Sequence, residues 1–323
     1  MKFGLLTYEE NKNTYNVGDY IQSLAAAQYL PRVDAYVNRE KLADYRGEKM
    51  KMILNGWFTH NTKNWIPSED IEPLFISFHI NNTASKNMLS PEGVAYLKKH
   101  EPIGCRDKFT VTLLQEKGIE AYFSGCLTLT LDSYKKDPQV KREGFYVVDP
   151  LYGYPTSDKI FSSYKKILRG IASGEIFALN KRKKHVSKLL LEELSAKAKF
   201  PTQVLPANTQ TDEEKFLLAK ELLDSYAKAE LVISSRIHCA LPCLAMDTPV
   251  IFVNGFDSFV DSCRFDGILD LFNRVDVESS TGTFTANFPW NGRLDTHTIP
   301  KNSGNHIKLA NAMKEKCHEF ING

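Results

Sequence analysis

Short apolar runs alternate with amphipathic helical patterns along most of this 323-residue chain, and this alternation limits the fold more than any other feature. The apolar runs are rich in Val, Ile, Phe and Tyr, which is typical of buried strands. Strands separated by helices indicate stacked βα units around a mostly parallel sheet. The sequence therefore predicts the α/β class.

A charged connection divides this alternation into two series. Residues Tyr134 to Glu143 read YKKDPQVKRE, contain Pro and lack an apolar period, as in a solvated linker. The chain is also longer than one hydrophobic core usually organises. We therefore predict two open α/β domains, residues 1–140 and 141–323. Ligands of such sheets bind at the carboxyl ends of the strands, so we expect the site in the crevice between the domains.

Ten strands are predicted from the apolar runs. Those of the first series are Lys2 to Tyr8, Met52 to Phe58, Leu74 to Phe78, Ile103 to Arg106 and Ala121 to Phe123. Those of the second are Phe145 to Val148, Glu175 to Leu179, Gln203 to Leu205, Leu231 to Ser234 and Val250 to Val253.

Three helix starts can be read from their caps. Ser90 precedes Pro91, which is tolerated at the first helical position. Asp107 can cap a helix from Lys108 to Lys117, which Gly118 would end. Thr211 and Glu214 have capping-box spacing before a helix that reaches about Lys228.

Charge, termini and cysteines exclude several classes of protein. Lys and Arg total 41 against 39 Asp and Glu, so the formal charge of +2 provides no global attraction for nucleic acid or an anionic membrane. Any anionic ligand must then be held by a local site.

The start MKFGLLTYEEN does not resemble a signal peptide, and no window is long enough to span a membrane, so we expect a cytoplasmic protein. Six dispersed cysteines and the histidine spacing argue against a disulfide framework and a metal site.

The segment Glu230 to Asn254 is the most informative part of the chain. It reads as a strand, a tight turn, a short apolar helix and a second strand that opens at Pro249. Pro242 is tolerated only near the first helical turn, which places the helix start near Ile237 or His238. Arg236 and His238 then project beside free backbone N–H groups, an arrangement suited to an anion.

Simpler roles exist for these residues. Ser235 could cap the helix, Arg236 could form a surface ion pair, and His238 could be a buried core histidine. The combination S-S-R-x-H at this turn favours the anion site over these separate structural roles.

Three motifs together resemble the polysaccharide pyruvyl transferase family. Ser234, Arg236, His238 and Pro249 match its C-terminal pattern of S-x-R-x-H, an apolar helix and Pro before a strand. The N-terminal element is similar to Asn16-Val17-Gly18-Asp19 before a helix from Tyr20 to Leu30, and an R-D turn is similar to Gly104-Cys105-Arg106-Asp107. The motifs lie in matching order across most of the chain.

The resemblance implies two Rossmann-like domains in the arrangement of GT-B glycosyltransferases, and phosphoenolpyruvate as donor without a metal or cofactor. Arg106 and Arg236 would clamp the donor from opposite domains, with His238 and Ser235 as further contacts. His238 and Asp19 are the candidate proton carriers. Asp19 could equally cap the following helix, and the two roles are compatible.

The acceptor implied by the resemblance is a sugar that receives a pyruvate ketal during surface polysaccharide biosynthesis. A lipid-linked oligosaccharide precursor at the inner membrane face is the expected form, and the cytoplasmic protein could be peripheral to that face. Nucleic acid is not an expected partner. Asn16 and His79 are the candidate acceptor contacts, and His60 and Trp57 are weaker candidates with structural alternatives.

Two other functions remain open on the sequence. A nucleotide-sugar glycosyltransferase could share the two-domain plan, although neither GxGxxG nor a P-loop is present. A non-catalytic glycan-binding protein would not need Arg236 and His238 together at a helix N-terminus.

Overall fold

The computed structural model describes residues 1–8, 14–137, 139, 141–155, 157–161, 163–172, 176, 179–207, 210–256 and 262–323. The strands are β1 Lys2–Thr7, β2 Thr14–Asn16, β3 Ala35–Asn38, β4 Met50–Phe58, β5 Ile71–Ile80, β6 Ile103–Cys105, β7 Ala121–Phe123, β8 Phe145–Val148, β9 Ala198–Lys199, β10 Val204–Pro206, β11 Leu231–Ser234, β12 Val250–Asn254, β13 Asn273–Val277 and β14 Phe284–Ala286.

Helices connect most of these strands. The α-helices are α1 Val17–Ala27, α2 Ser85–Met88, α3 Pro91–Lys98, α4 Lys108–Gln115, α5 Ser157–Ile160, α6 Tyr164–Ala172, α7 Lys181–Leu189, α8 Glu192–Lys197, α9 Asp212–Lys228, α10 Ile237–Ala245 and α11 Ile307–Asn322. Short 3-10 helices span Arg39–Asp44, Leu127–Thr130, Asp132–Tyr134, Cys263–Phe265 and Leu269–Leu271.

Two six-stranded sheets form the framework. The first has the order β3-β1-β4-β5-β6-β7 and is parallel throughout. The second has the order β14-β13-β12-β11-β8-β9 and is parallel except for the pair β13 and β14. Counted along the chain within each sheet, both follow the same doubly wound order, 2-1-3-4-5-6. The predicted α/β class is confirmed.

This strand order fixes where a ligand can bind. In a doubly wound sheet the connections diverge at the switch point, which leaves a crevice beyond the carboxyl ends of the two strands concerned. The switch point of the first sheet lies between β1 and β4, and that of the second between β8 and β11. The segments that follow these strands are therefore where functional side chains are expected.

The two halves of the chain are joined directly beside these crevices. Strand β10 pairs antiparallel with β2, and the amide of Val17 donates to the carbonyl of Gln203 at 2.8 Å. A strand from the second half of the chain thus pairs with a strand from the first half. The pairing fixes the N-terminus of α1 against the segment before β10.

The last helix also returns to the first half. Lys51 Nζ of β4 donates to the carbonyl of Phe320 at 2.7 Å, and Met313 and Cys317 of α11 are buried in the core that contains the first sheet. By its contacts α11 belongs with residues 1–140, because its apolar face covers that sheet. The division at residue 140 and the GT-B arrangement remain predictions.

Most predicted elements are found, with shifted ends. The structure starts α1 at Val17, because Asn16 rather than Asp19 is its N-cap, and ends it at Ala27. Both Ser90 and Asp107 cap as predicted, Thr211 and Glu214 form the capping box, and Gly118 adopts φ +68°. The predicted strand Glu175 to Leu179 falls mostly outside the described residues, and strand 203–205 lies in the small β2–β10 sheet instead of a main one.

Across the described residues, no helix is both long and apolar enough to cross a bilayer.

Candidate active site

A cavity of about 200 Å³ opens where the two switch points face each other. Its walls come from segments after β1, β3, β4 and β6 on one side and after β8, β11 and β12 on the other. The lining residues are Asn16, Asp19, Arg39, Trp57, His60, Arg106, Tyr152, Gln203, Arg236, Ile237, His238 and Arg264. Four arginines and a single carboxyl group therefore surround one small space.

The N-termini of α1 and α10 approach each other at this cavity. Asn16 caps α1 by accepting from the Gly18 amide at 3.1 Å, and Arg236 occupies the cap position of α10. A Cβ atom on Gly18 would lie 3.1 Å from Gln203 Oε1 and 3.2 Å from His238 Cβ. Glycine allows this close approach, which places two helix N-termini and their partial positive charge at the same cavity.

Arg106 follows β6 and is the most deeply buried of the four arginines. The residue is 1% exposed, and its Nε and Nη2 atoms have no hydrogen-bond partner among the described residues. Its nearest ion-pair partner is Asp107, at 3.7 Å from Nε to Oδ2. Buried guanidinium N–H groups without partners are costly, so this arrangement is stabilised when an anion enters the cavity.

Arg236 is held rigidly from the other side. Its Nε donates to Asp149 Oδ2 at 2.9 Å, and its guanidinium stacks on the Tyr152 ring with Cζ 3.6 Å from the ring centroid. Asp149 also accepts from the Gln203 amide at 3.0 Å. The guanidinium plane is thereby fixed before any ligand binds, which reduces the entropy lost on binding.

Arg39 and Arg264 complete the basic wall. Arg39 pairs with Glu40 at 3.0 Å and lies between the rings of Tyr8 and Trp57, each 4.9 Å from Cζ. Arg264 donates from Nη2 to the Tyr152 hydroxyl at 2.6 Å. Aromatic rings thus stabilise part of the positive charge of the site, because a ring face attracts a cation.

The pKa values of Asp19 and His238 are shifted in opposite directions in this environment. Burial lowers the pKa of His238 well below its usual value, and Arg106, Arg264 and Arg236 lower it further. Burial raises the pKa of Asp19, although Arg39, Arg106, Arg236 and His60 oppose that shift. A neutral imidazole and a carboxyl group that retains its proton to higher pH than usual therefore face the same cavity.

The cavity brings together most of the residues proposed from the sequence. Asn16, Asp19, Arg106, Arg236 and His238 line it, as do Trp57 and His60.

Ser235 and His79 are placed elsewhere. Ser235 Oγ donates to the Val253 carbonyl and accepts from the Leu151 amide, so it ties β11 to the neighbouring loops. His79 is fully buried behind the cavity, with Nδ1 2.6 Å from Asp107 Oδ2. Neither Ser235 nor His79 is among the residues that line the cavity.

Five lining residues were not proposed as site residues from the sequence: Arg39, Tyr152, Gln203, Ile237 and Arg264. Arg39 and Tyr152 each follow a strand of the sheets by a few residues, which is the signal that could have found them. Arg264 lies in a 3-10 helix and Gln203 before an edge strand, and both reach the site through tertiary contacts.

No group of three or more His, Cys, Asp and Glu side chains suitable for a metal occurs in the part of the chain that the structure describes. All six cysteines are buried, and none forms a disulfide.

Doubly wound sheets bind their ligands in the crevice at the switch point, and helix N-termini at such a crevice favour anionic ligands. The sequence model of the polysaccharide pyruvyl transferase family matches residues 16–258, so the chain belongs to that family. No protein among the curated sequences matches. A functionally uncharacterised protein from Klebsiella pneumoniae subsp. pneumoniae NTUH-K2044, known from its crystal structure, is 12% identical with a TM-score of 0.41, over 82% of this chain and 88% of that one.

The buried imidazoles predict an acid-sensitive fold. Burial lowers the pKa of His79 from 6.5 to about 4, and His238 is shifted the same way. The unfolded chain binds these protons near pH 6.5, whereas the folded protein does not. Stability present above pH 6.5 should therefore be lost as the pH falls toward 4, by up to about 1.4 kcal/mol per pH unit for each histidine.

Urea unfolding followed across this pH range measures the effect. The variant His238→Gln, which cannot take up that proton, should show a shallower dependence than the parent. A free energy of unfolding that does not change over the range would contradict the buried neutral imidazoles.

Proposed function

We propose that the protein transfers the enolpyruvyl group of phosphoenolpyruvate to two hydroxyl groups of a sugar and so forms a pyruvate ketal. The observation that carries this proposal is the buried Arg106 guanidinium, with two nitrogen atoms unpartnered among the described residues, facing Arg236 across a cavity. Phosphoenolpyruvate places a phosphate and a carboxylate on very few atoms. Two fixed guanidinium groups on opposite walls match such a ligand.

The size of the cavity favours a small donor over a nucleotide sugar. Its volume is about 200 Å³. Pockets for drug-sized ligands usually measure about 300–1,000 Å³, and a nucleotide sugar is at least that large. Phosphoenolpyruvate has few non-hydrogen atoms and much negative charge, which agrees with both the volume and the four arginines.

The opposite pKa shifts of Asp19 and His238 suggest an acid and a base. In our proposal the Asp19 carboxyl group donates a proton to the methylene carbon of phosphoenolpyruvate. The adjacent carbon becomes electron-poor, and a sugar hydroxyl attacks it while neutral His238 accepts the hydroxyl proton. The carbon–oxygen bond to phosphate then breaks, and the proton held by His238 passes to the departing inorganic phosphate. The second hydroxyl adds to the same carbon and gives its proton to the Asp19 carboxylate, so both side chains return to their starting states.

The electrostatics of the cavity would assist each stage. Arg106 and Arg236 would hold the phosphate and carboxylate before the reaction, and the same arginines would stabilise the departing phosphate. Arg39 and Arg264 add positive charge next to these groups. This chemistry uses only side chains of the chain itself.

We assign the acceptor to the side of the cavity formed by Asn16, Trp57 and His60. Trp57 and His60 form an aromatic pair with centroids 4.5 Å apart, and His60 is exposed at the rim. Aromatic faces beside an amide are suited to a sugar ring. His79 lies behind the cavity, so we propose that it supports Asp107 and does not contact the acceptor. A lipid-linked precursor of a surface polysaccharide, presented at the inner membrane face, fits this role.

A direct product assay tests the function. The protein is incubated with phosphoenolpyruvate and a panel of nitrophenyl and lipid-linked sugars, and phosphate release and sugar mass are followed together. Equal amounts of released phosphate and of sugar carrying a pyruvate ketal are the expected result. Turnover of UDP-sugars in place of phosphoenolpyruvate would support a glycosyltransferase instead.

Replacing Arg236 with Lys should weaken phosphoenolpyruvate binding although the charge is retained. The planar fork that Asp149 and Tyr152 orient is lost, and a charge-assisted contact contributes about 1.5 to 3 kcal/mol. Calorimetry should therefore show a Kd raised by about tenfold to a hundredfold. The matched control is Arg274→Lys, because Arg274 also pairs with an aspartate at 2.9 Å but lies outside the cavity. Equal donor affinity in the two variants would contradict the clamp.

Replacing His238 with Gln separates binding from proton transfer. As the base, His238 should contribute about 10²-fold or more to kcat, with donor affinity nearly unchanged, because the neutral imidazole carries no charge for the anion. The control variant is His297→Gln, at an exposed histidine outside the cavity. A large loss of donor affinity with normal kcat would make His238 an anion contact, and a variant normal in both would remove it from the site.

A further inference from the structure

One short segment exposes an unusual concentration of large apolar side chains. Phe161 is 54% exposed, Tyr164 74%, Leu168 49% and Ile171 56%. Their spacing of three and four residues places Tyr164, Leu168 and Ile171 on one face of α6, with Phe161 just before it. We call these four side chains the α6 stripe. Other large exposed apolar residues of the described ranges are scattered along the chain: Met1, Val33, Tyr36, Phe200, Leu217, Ile299 and Ile307.

The helix is held to the protein by a different face. Gly170 is buried, and a Cβ atom there would lie 3.0 Å from Ile160 Cγ2 of α5. Ile167, partly buried, is on the same side. The α6 stripe therefore points away from the packed face, so its exposure is a property of the fold and does not come from poor packing of the helix.

Positive charge is concentrated in the same region. Lys165 and Arg169 of α6 are exposed, as are Lys183, Lys184 and Lys188 of α7. Residues 157–189 contain nine Lys and Arg against two Asp and Glu, a net charge of +7. Because the whole chain carries only +2, the rest of it carries −5. The small overall charge thus conceals a strongly basic segment of the chain that includes the α6 stripe.

We propose that the α6 stripe and its basic flank dock the protein on the surface of an anionic lipid bilayer. A short helix with an apolar face and cationic flanks lies in the plane of such an interface, with the apolar side chains among the acyl chains and the cations at the headgroups. Lys165 and Arg169 are the flank of α6, and anionic lipid complements their charge.

Other occupants fit this surface less well. A second copy of the chain would bring two basic flanks together, and like charges would oppose the contact. Nucleic acid would satisfy the basic residues but leave the α6 stripe in water. An anionic bilayer matches both the apolar and the charged part of the surface.

The helix before α6 begins near a residue that fixes Arg236. Ser157, the first residue of α5, and Asp149, which accepts from Arg236 Nε, both line one cavity of about 620 Å³. The inference rests on exposure and charge and does not depend on the proposed reaction.

Vesicle co-sedimentation of the full chain tests the docking. Vesicles of phosphatidylcholine alone are compared with vesicles containing about one third phosphatidylglycerol. Binding to the anionic vesicles only, weakened by salt, is the expected result. The double variants Leu168→Gln/Ile171→Gln and Lys165→Gln/Arg169→Gln should each reduce partitioning on the order of tenfold. Leu217→Gln, at an equally exposed leucine of α9, is the matched control and should bind like the parent.

Melting temperatures of all variants establish that each is folded, since the substituted side chains are exposed. Equal binding to neutral and anionic vesicles would overturn the proposal. So would normal vesicle binding by the stripe variant. A concentration-dependent dimer in sedimentation velocity that Leu168→Gln/Ile171→Gln abolishes would assign the α6 stripe to a second copy and would likewise overturn it.

Discussion

The concentration of positive charge at two facing switch points is the constraint on which the rest of the site depends. The Arg106 guanidinium is shielded from water, and two of its nitrogen atoms lack hydrogen-bond partners among the described residues, which is unfavourable while no ligand is bound. Its position is maintained by the fold: its amide donates to Phe78, and Asp107 behind it is fixed by His79 and Thr110. Stability is thus reduced locally in favour of binding, as is common at functional sites.

The same charge organises the chemistry around it. Burial and then the arginines lower the pKa of His238, and burial raises the pKa of Asp19, so a neutral imidazole and a carboxyl group that keeps its proton to higher pH than usual face one cavity. Both groups depend on the close contact of α1 and α10 at Gly18, and that contact depends on the pairing of β10 with β2. Fold topology and site electrostatics are therefore linked through a few backbone contacts.

The sequence predicted the features that depend on interactions between residues close together in the chain. Caps such as Asp107 and the turn that carries Arg236 and His238 could be read directly, because their residues interact within a few positions of one another. Arg264 and Gln203 could not, since only tertiary packing brings them to the cavity. Strand β13 reads as polar because alternate side chains are partly exposed, so its apolar pattern is too weak to recognise. The net charge of +2 hid the basic surface beside α6, because a sum over the chain carries no information about position.

The most direct measurement is the stability of Arg106→Met with and without phosphoenolpyruvate. Methionine fills a similar volume and removes the buried charge. We expect the free energy of unfolding of the ligand-free variant to be equal to or higher than that of the parent. Phosphoenolpyruvate at 100 times its Kd should stabilise the parent by about 2.7 kcal/mol and the variant far less. An empty variant that is much less stable than the parent, yet is stabilised by phosphoenolpyruvate to the same extent, would contradict both expectations.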